Sequence, residues 1–181
     1  PRHHHRRGYA GRGAGGVMFR IAVFCLLSAV GRSLDAAGIP ADAYRYRLPL
    51  IQTAQAYCGL GCPVADYAAQ IHQESRWRND AKSAVGAQGM AQFMPATSKW
   101  IAGVYPKALA GDKPADPVWA MRALVLYDRW LWDRVKAPDD CNRSAKAKSA
   151  YNGGLGWVYR DEKAAARAGL DAGRWWGNVE T

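Results

Sequence analysis

Beyond Gly38-Ile39-Pro40, apolar and polar positions recur with the period of a helix in one stretch after another, and Gly or Pro breaks each stretch. The pattern predicts a first helix over 44–57, ended by Gly59 and Gly61. Pro63 suits the first position of a second helix, in which Val64, Tyr67, Ala68, Ile71, Glu74 and Ser75 share one face. Residues 79–92 are polar and Gly-rich without helical period, which predicts an irregular segment with room for short strands. Pro95 opens a third helix that runs to about Val104 and stops near Pro106. Asp116 is a strong N-cap with Pro117 at the first helical position, so 118–135 is expected to be the longest helix. Asn142 or Ser144 is expected to cap a shorter one that ends at Asn152-Gly153-Gly154, followed by another over 155–168 and by Arg174-Trp175-Trp176-Gly177. The sum is a mainly α chain with one irregular interruption, and that interruption falls directly after Glu74.

Glu74 is one of three glutamates, with Glu162 and Glu180, and it lies on the apolar face of its helix. Burial disfavours the charged form of a carboxyl group, and an acid still protonated near neutral pH is what cleaving a glycosidic bond requires. The position therefore points to an enzyme that cuts sugar polymers. By spacing alone, an exposed helix-terminal acid paired with Arg76 or Arg78 is the commoner arrangement; the motifs below favour the acid. Asp66 and Asp80 are the nearest candidates for a second carboxylate. Asp66 lies eight residues before Glu74, roughly 12 Å along a helix at ~1.5 Å per residue, and points elsewhere. Asp80 follows Asn79 in a turn, where local hydrogen bonding is its expected role.

Composition narrows the setting. A length of 181 residues with 49% hydrophobic content suits one folded domain, expected over 37–181. Half of the formal +10 sits in residues 1–36, where six arginines face Asp35 alone. The positive body favours encounter with polyanions, bacterial wall polymers among them. Nucleic acid is disfavoured, since no basic run with interleaved aromatics or finger-type spacing occurs. Residues 1–17 form a Gly/Arg/His-rich leader expected to be disordered, in which His3-His4-His5 makes a poor metal site. Residues 18–36 read as a secretory signal: Arg20, then an apolar run from Ile21 to Val30, too short for a stable membrane span of ~20 residues. The chain is thus expected to be exported, to the periplasm or cell wall, with delivery to the wall by a phage as the alternative. Beyond the signal, Cys58, Cys62 and Cys141 leave a disulfide pairing open, and no second Cys or His pair at ligand spacing supports zinc at Cys58-Gly-Leu-Gly-Cys62. Core packing accounts for most of the eight tryptophans, with one or two left to face a groove.

Three segments in series, Gln73-Glu74-Ser75, Gly86 to Thr97 (GAQGMAQFMPAT) and Ala150-Tyr151-Asn152-Gly153-Gly154, resemble the lytic transglycosylase domain of the soluble kind, in the lysozyme superfamily. The resemblance runs from about Arg45 to Gly177, and Leu155-Gly156-Trp157 after the Asn-Gly-Gly turn looks most like phage or prophage versions. It implies a mainly α, lysozyme-like fold with a helical lobe around a substrate groove. It also implies a monomeric enzyme that cleaves the β-1,4 bond from N-acetylmuramic acid to N-acetylglucosamine in peptidoglycan strands, without metal or cofactor. Glu74 inherits the role of lone catalytic acid and base. Gly89, Met90 and Gln92 inherit the substrate-contacting Gly-Leu-Met-Gln stretch, with Ala91 in place of the usual methionine, a change expected to trim one wall of the groove. Tyr151 is expected to place its hydroxyl near the Glu74 carboxyl, Asn152 to bind an N-acetyl or hydroxyl group, and Ser75 to orient the glutamate or the substrate's acetamido group. A lysozyme-type hydrolase on the same scaffold and a non-catalytic wall-binding module are the alternatives. Val179-Glu180-Thr181 looks like the opening of the family's final segment, which suggests a truncated C-terminus.

Overall fold

The computed structural model describes residues 39–180; the leader and signal expected over 1–36 lie outside them. Seven helices account for most of the described chain: α1 (Ala41–Cys58), α2 (Val64–Ser75), α3 (Pro95–Val104), α4 (Pro106–Leu109), α5 (Pro117–Trp132), α6 (Asp140–Gly153) and α7 (Leu155–Arg167). A wide turn over Trp175–Val179 follows, bent by extended Trp176 and by Gly177 at φ 67°.

Helix α5 is the axis of the fold. Trp119, Ala120, Met121, Ala123, Leu124, Val125, Leu126, Asp128 and Leu131 are all buried on it, so it is covered on nearly every side. Helix α1 lies against α5 through Tyr46, Leu50 and Ala54, at helical spacing, and α2 adds Tyr67 and Ile71. At the far end of α5, Leu131 and, just beyond the helix, Val135 meet Ala147 and Ala150 of α6 and Val158 of α7. Asp116 caps α5 as expected, its carboxylate accepting from the Trp119 amide at 2.7 Å.

Some boundaries differ from the sequence reading. Pro63 stands just before α2 rather than inside it, and α5 ends three residues short of Val135. The cap of α6 is Asp139, not Asn142 or Ser144: its carboxylate accepts from the Asn142 amide at 2.8 Å. Asn142 instead turns its own side chain back onto Asp139 and accepts from the Trp175 amide at 2.8 Å. Pro106 ends α3 and also begins the single turn of α4. Cys58 and Cys62 form a disulfide that closes the α1–α2 connection, while Cys141 is free and exposed.

Lys146 is wholly buried on α6, yet its ammonium is fully engaged. It donates to the carbonyls of Lys136 (2.9 Å) and Ala172 (2.7 Å) and to the Glu162 carboxylate (2.8 Å). Three strong acceptors are what make a buried cation tolerable, and together they pin α7 and the terminal segment to α6.

Candidate active site

Helix α2 delivers Glu74 in its last turn, immediately before the chain reverses. Arg76 and Trp77 both take left-handed conformations (φ 54° and 69°), which stop the helix and throw the chain into the irregular segment. That segment contains only isolated bridges, Lys82 with Gln88 and Gln88 with Phe93, rather than strands. It is held by its own hydrogen bonds, including Gly89 N to the Ala81 carbonyl and the reciprocal pair between Gln88 and Phe93. Met90, Ala91 and Phe93 fasten it to the core.

Ser75 joins the two parts. It is buried, and its hydroxyl donates to the Met90 carbonyl at 2.8 Å. Helix end and loop are thus clamped one residue from the glutamate. Gly89 lies against Pro114 so closely that a Cβ would stand 1.8 Å from the Pro114 carbonyl oxygen. Met90 and Ala91 have no exposed surface. The structure thus places Met90 and Ala91 in the core and gives the Ser75 hydroxyl to the Met90 carbonyl, next to the glutamate it was expected to orient.

Glu74 itself is half-buried and has no hydrogen-bond or ion-pair partner among the described residues. The arginines that could have paired with it do not: Arg78 donates to the Ser75 carbonyl at 3.2 Å. Burial, and then the negative charge of Asp128, raise the Glu74 carboxyl from 4.5 to about 7. A group so poised can give up a proton and take one back at neutral pH.

Tyr151, on α6, donates its hydroxyl to the Ala91 carbonyl at 2.6 Å and packs edge-on against Phe93. Burial, followed by the nearby charge of Glu74 and Asp128, pushes its phenol well above its ordinary range, so it stays neutral. Its hydroxyl hydrogen goes to the backbone, which leaves an oxygen lone pair free. Gln92 takes φ 49° and donates its amide to the Gly89 carbonyl at 2.9 Å. Asn152, exposed at the end of α6, donates to the Lys148 carbonyl at 3.2 Å. Each amide spends its nitrogen on the backbone, and its oxygen has no partner among the described residues. A row of rings, Phe93, Tyr151, Tyr127, Trp130 and Trp100, leads from the buried loop to the surface, where Trp100 is 39% exposed.

Asp66 and Asp80 are both exposed. The carboxylate that does approach the site is Asp128, which the sequence reading missed. It is buried on α5, ion-paired with Lys148 of α6, and accepts from Gln70 of α2 at 3.4 Å. Its signal was the same as that of Glu74: an acid on an apolar helix face, here in register with Leu124 and Leu131. Asp128 and Lys148 also line a cavity of about 350 Å³ with Tyr67 and Trp132. Pro63, Tyr67, Gln70 and Glu74 follow one another at helical spacing, so this cavity lies on the Glu74 face of α2 although Glu74 does not line it. A second depression of about 400 Å³ lies against α7, beside Tyr159 and Glu162, and no residue of α2 contributes to it.

Residues 60–171 match the family model described as the transglycosylase SLT domain. Over 111 residues the chain is 33% identical to the membrane-bound lytic murein transglycosylase F of Maricaulis maris (strain MCS10), a stretch covering 60% of this chain and 22% of that protein. The matched residues run from the loop before α2 to beyond α7, and so take in the glutamate, the clamped loop and the Ala-Tyr-Asn end of α6. The chain belongs to the transglycosylase SLT domain family.

Proposed function

We propose that the chain is a lytic transglycosylase of the bacterial wall, exported and acting as a monomer, that cuts peptidoglycan strands between N-acetylmuramic acid and N-acetylglucosamine without consuming water. The observation that carries this reading is Glu74: an acid without a partner among the described residues, half-buried, and raised to about 7. In the first step its proton passes to the glycosidic oxygen, and the bond from that oxygen to the muramoyl C1 breaks. The acetamido group of the same sugar stabilises the cationic C1 from within the substrate. In the second step the Glu74 carboxylate takes the proton of the muramoyl C6 hydroxyl, and the C6 oxygen bonds to C1 in a 1,6-anhydro ring. The glutamate ends protonated, as it began, so one carboxyl group serves both steps, where most glycosidases need two.

The neighbours supply position. The unpaired oxygens of Gln92 and Asn152 suit sugar hydroxyl and acetamido N–H donors, and Tyr151 supports the loop that faces them. Ser75 and Met90 act by fixing that loop against the helix that carries the acid, and Gly89 by seating it against Pro114. Analysis by mass of the fragments released from purified sacculi tests the reaction. Muropeptides lighter by one water, with anhydro ends, are expected. Hydrated reducing ends alone would assign a hydrolase, and binding without any release would assign a wall-binding module.

A further inference from the structure

The polar cluster behind Glu74 has no counterpart in the mechanism just given. Asp128 (α5), Lys148 (α6) and Gln70 (α2) close a ring: the lysine ammonium pairs with Asp128 Oδ2 and donates to Gln70 Oε1, while Gln70 Nε2 donates to Asp128 Oδ1. The same ammonium stands 5.1 Å from the centre of the Tyr67 ring. Three helices meet here. Gln70 is one helical turn before Glu74 on the same face of α2, and Lys148 is one turn before Tyr151 and Asn152 on α6, its carbonyl accepting from the Asn152 amide. A buried ion pair is a poor device for stability alone, because well-packed apolar side chains of similar volume do as well or better. Its location suggests another purpose.

Taking the lytic reading as given, we propose that Asp128 is a positioning residue for the acid, locked behind it by Lys148 and Gln70, which acts on the reaction through Glu74 and never touches the substrate. The ring ties the helix that carries the acid to the helix that carries Tyr151 and Asn152. Burial raises the Asp128 carboxyl while the Lys148 ammonium and the Gln70 amide work to hold it charged. The charge they hold there opposes a second one on Glu74, since a like charge in a poorly solvated place keeps an acid protonated. The electrostatics agree: after burial, Asp128 is the cause that raises Glu74, and it raises Tyr67, Tyr127 and Tyr151 as well. The other groups bearing on the cluster are Asp66 on α2 and Arg129 on α5.

The test separates this role from activity as such. The chain contains three glutamates, so labelling the glutamate side-chain carboxyl carbons with ¹³C gives three NMR titration curves, and Glu74→Gln identifies one of them. Asp128→Asn keeps the shape and can still accept from Lys148. In it, the Glu74 curve is expected to move to lower pH, and the lytic kcat at neutral pH to fall about tenfold with KM little changed. The deficit should shrink as the assay is made more acidic, because Glu74 is then protonated again. An unmoved Glu74 curve overturns the proposal, even if kcat falls, since it would leave Asp128 a purely structural role. If Asp128→Asn does not fold, the double variant Asp128→Asn/Lys148→Gln, which leaves no charge unpaired, carries the same titration and the same criterion. The titration needs no turnover, so its failure is distinct from a failure to cut peptidoglycan.

Discussion

Replacing Glu74 by Gln is expected to lower the rate of strand cleavage at least ~10²-fold while glycan binding persists, because an amide fills the same space but can neither give nor accept the proton in flight. The parent rate should itself fall as pH rises through about 7, where the acid loses its proton. The same substitution is expected to stabilise the protein in alkaline solution. The folded-state value of about 7 lies above the ordinary 4.5, so the group's contribution to stability is complete below 4.5 and is lost as pH rises through 7. At pH 8 the parent carries a poorly solvated, unpartnered charge that the glutamine lacks. Discounted for partial exposure, the gain is about 1–2 kcal/mol, and it should vanish near pH 4. Thermal melts of both proteins at the two pH values read it. Undiminished cleavage by the variant would move the chemistry to another group.

Gly89→Ala is expected to be the most damaging small change in the described chain. The added methyl would stand 1.8 Å from the Pro114 carbonyl oxygen and 2.7 Å from its carbon, both backbone atoms that cannot step aside, and φ is +75°. Clash and left-handed strain together should cost about 3–4 kcal/mol. Gly86→Ala is the control: φ is similarly positive at +91°, but nothing lies within 4 Å of the new Cβ, so about 1 kcal/mol is expected. Urea unfolding of the two variants measures the difference. Equal costs would mean that the Pro114 segment yields, and that the loop beneath the acid is softer than its hydrogen bonds imply.

Much of this was legible in the residues, and the exceptions share a cause. Helical periodicity with Gly and Pro punctuation located the main helices, since those signals act within one or two turns. Glu74 was legible for the same reason: its place on an apolar face is a local fact. Asp128 obeys the same local rule, but its partners lie 20 and 58 residues away, on α6 and α2. A pattern read along one helix could not say whether that acid was paired or which site it served. The cap of α6 went astray in a similar way. Asp139, Asn142 and Ser144 all suit a cap, and the choice is settled by Trp175, thirty-three residues on, whose amide claims the Asn142 oxygen. Where Ser75, Met90 and Ala91 come to lie was not legible along the chain, because it depends on which way the loop folds back, with Gly89 against Pro114 and Ser75 bonded to Met90.

The threefold grip on Lys146 makes one corner of the molecule intolerant of an exchange that is harmless elsewhere. An ammonium group is a compact point that can send one hydrogen to each of three acceptors gathered around it, whereas a guanidinium is a flat fork with its donors spread in a plane. Arginine would preserve the charge and lose the fit. The carbonyls of Lys136 and Ala172 would be left competing for a head too broad for the space, and the hold of α6 on the end of the chain would slacken without any change in net charge.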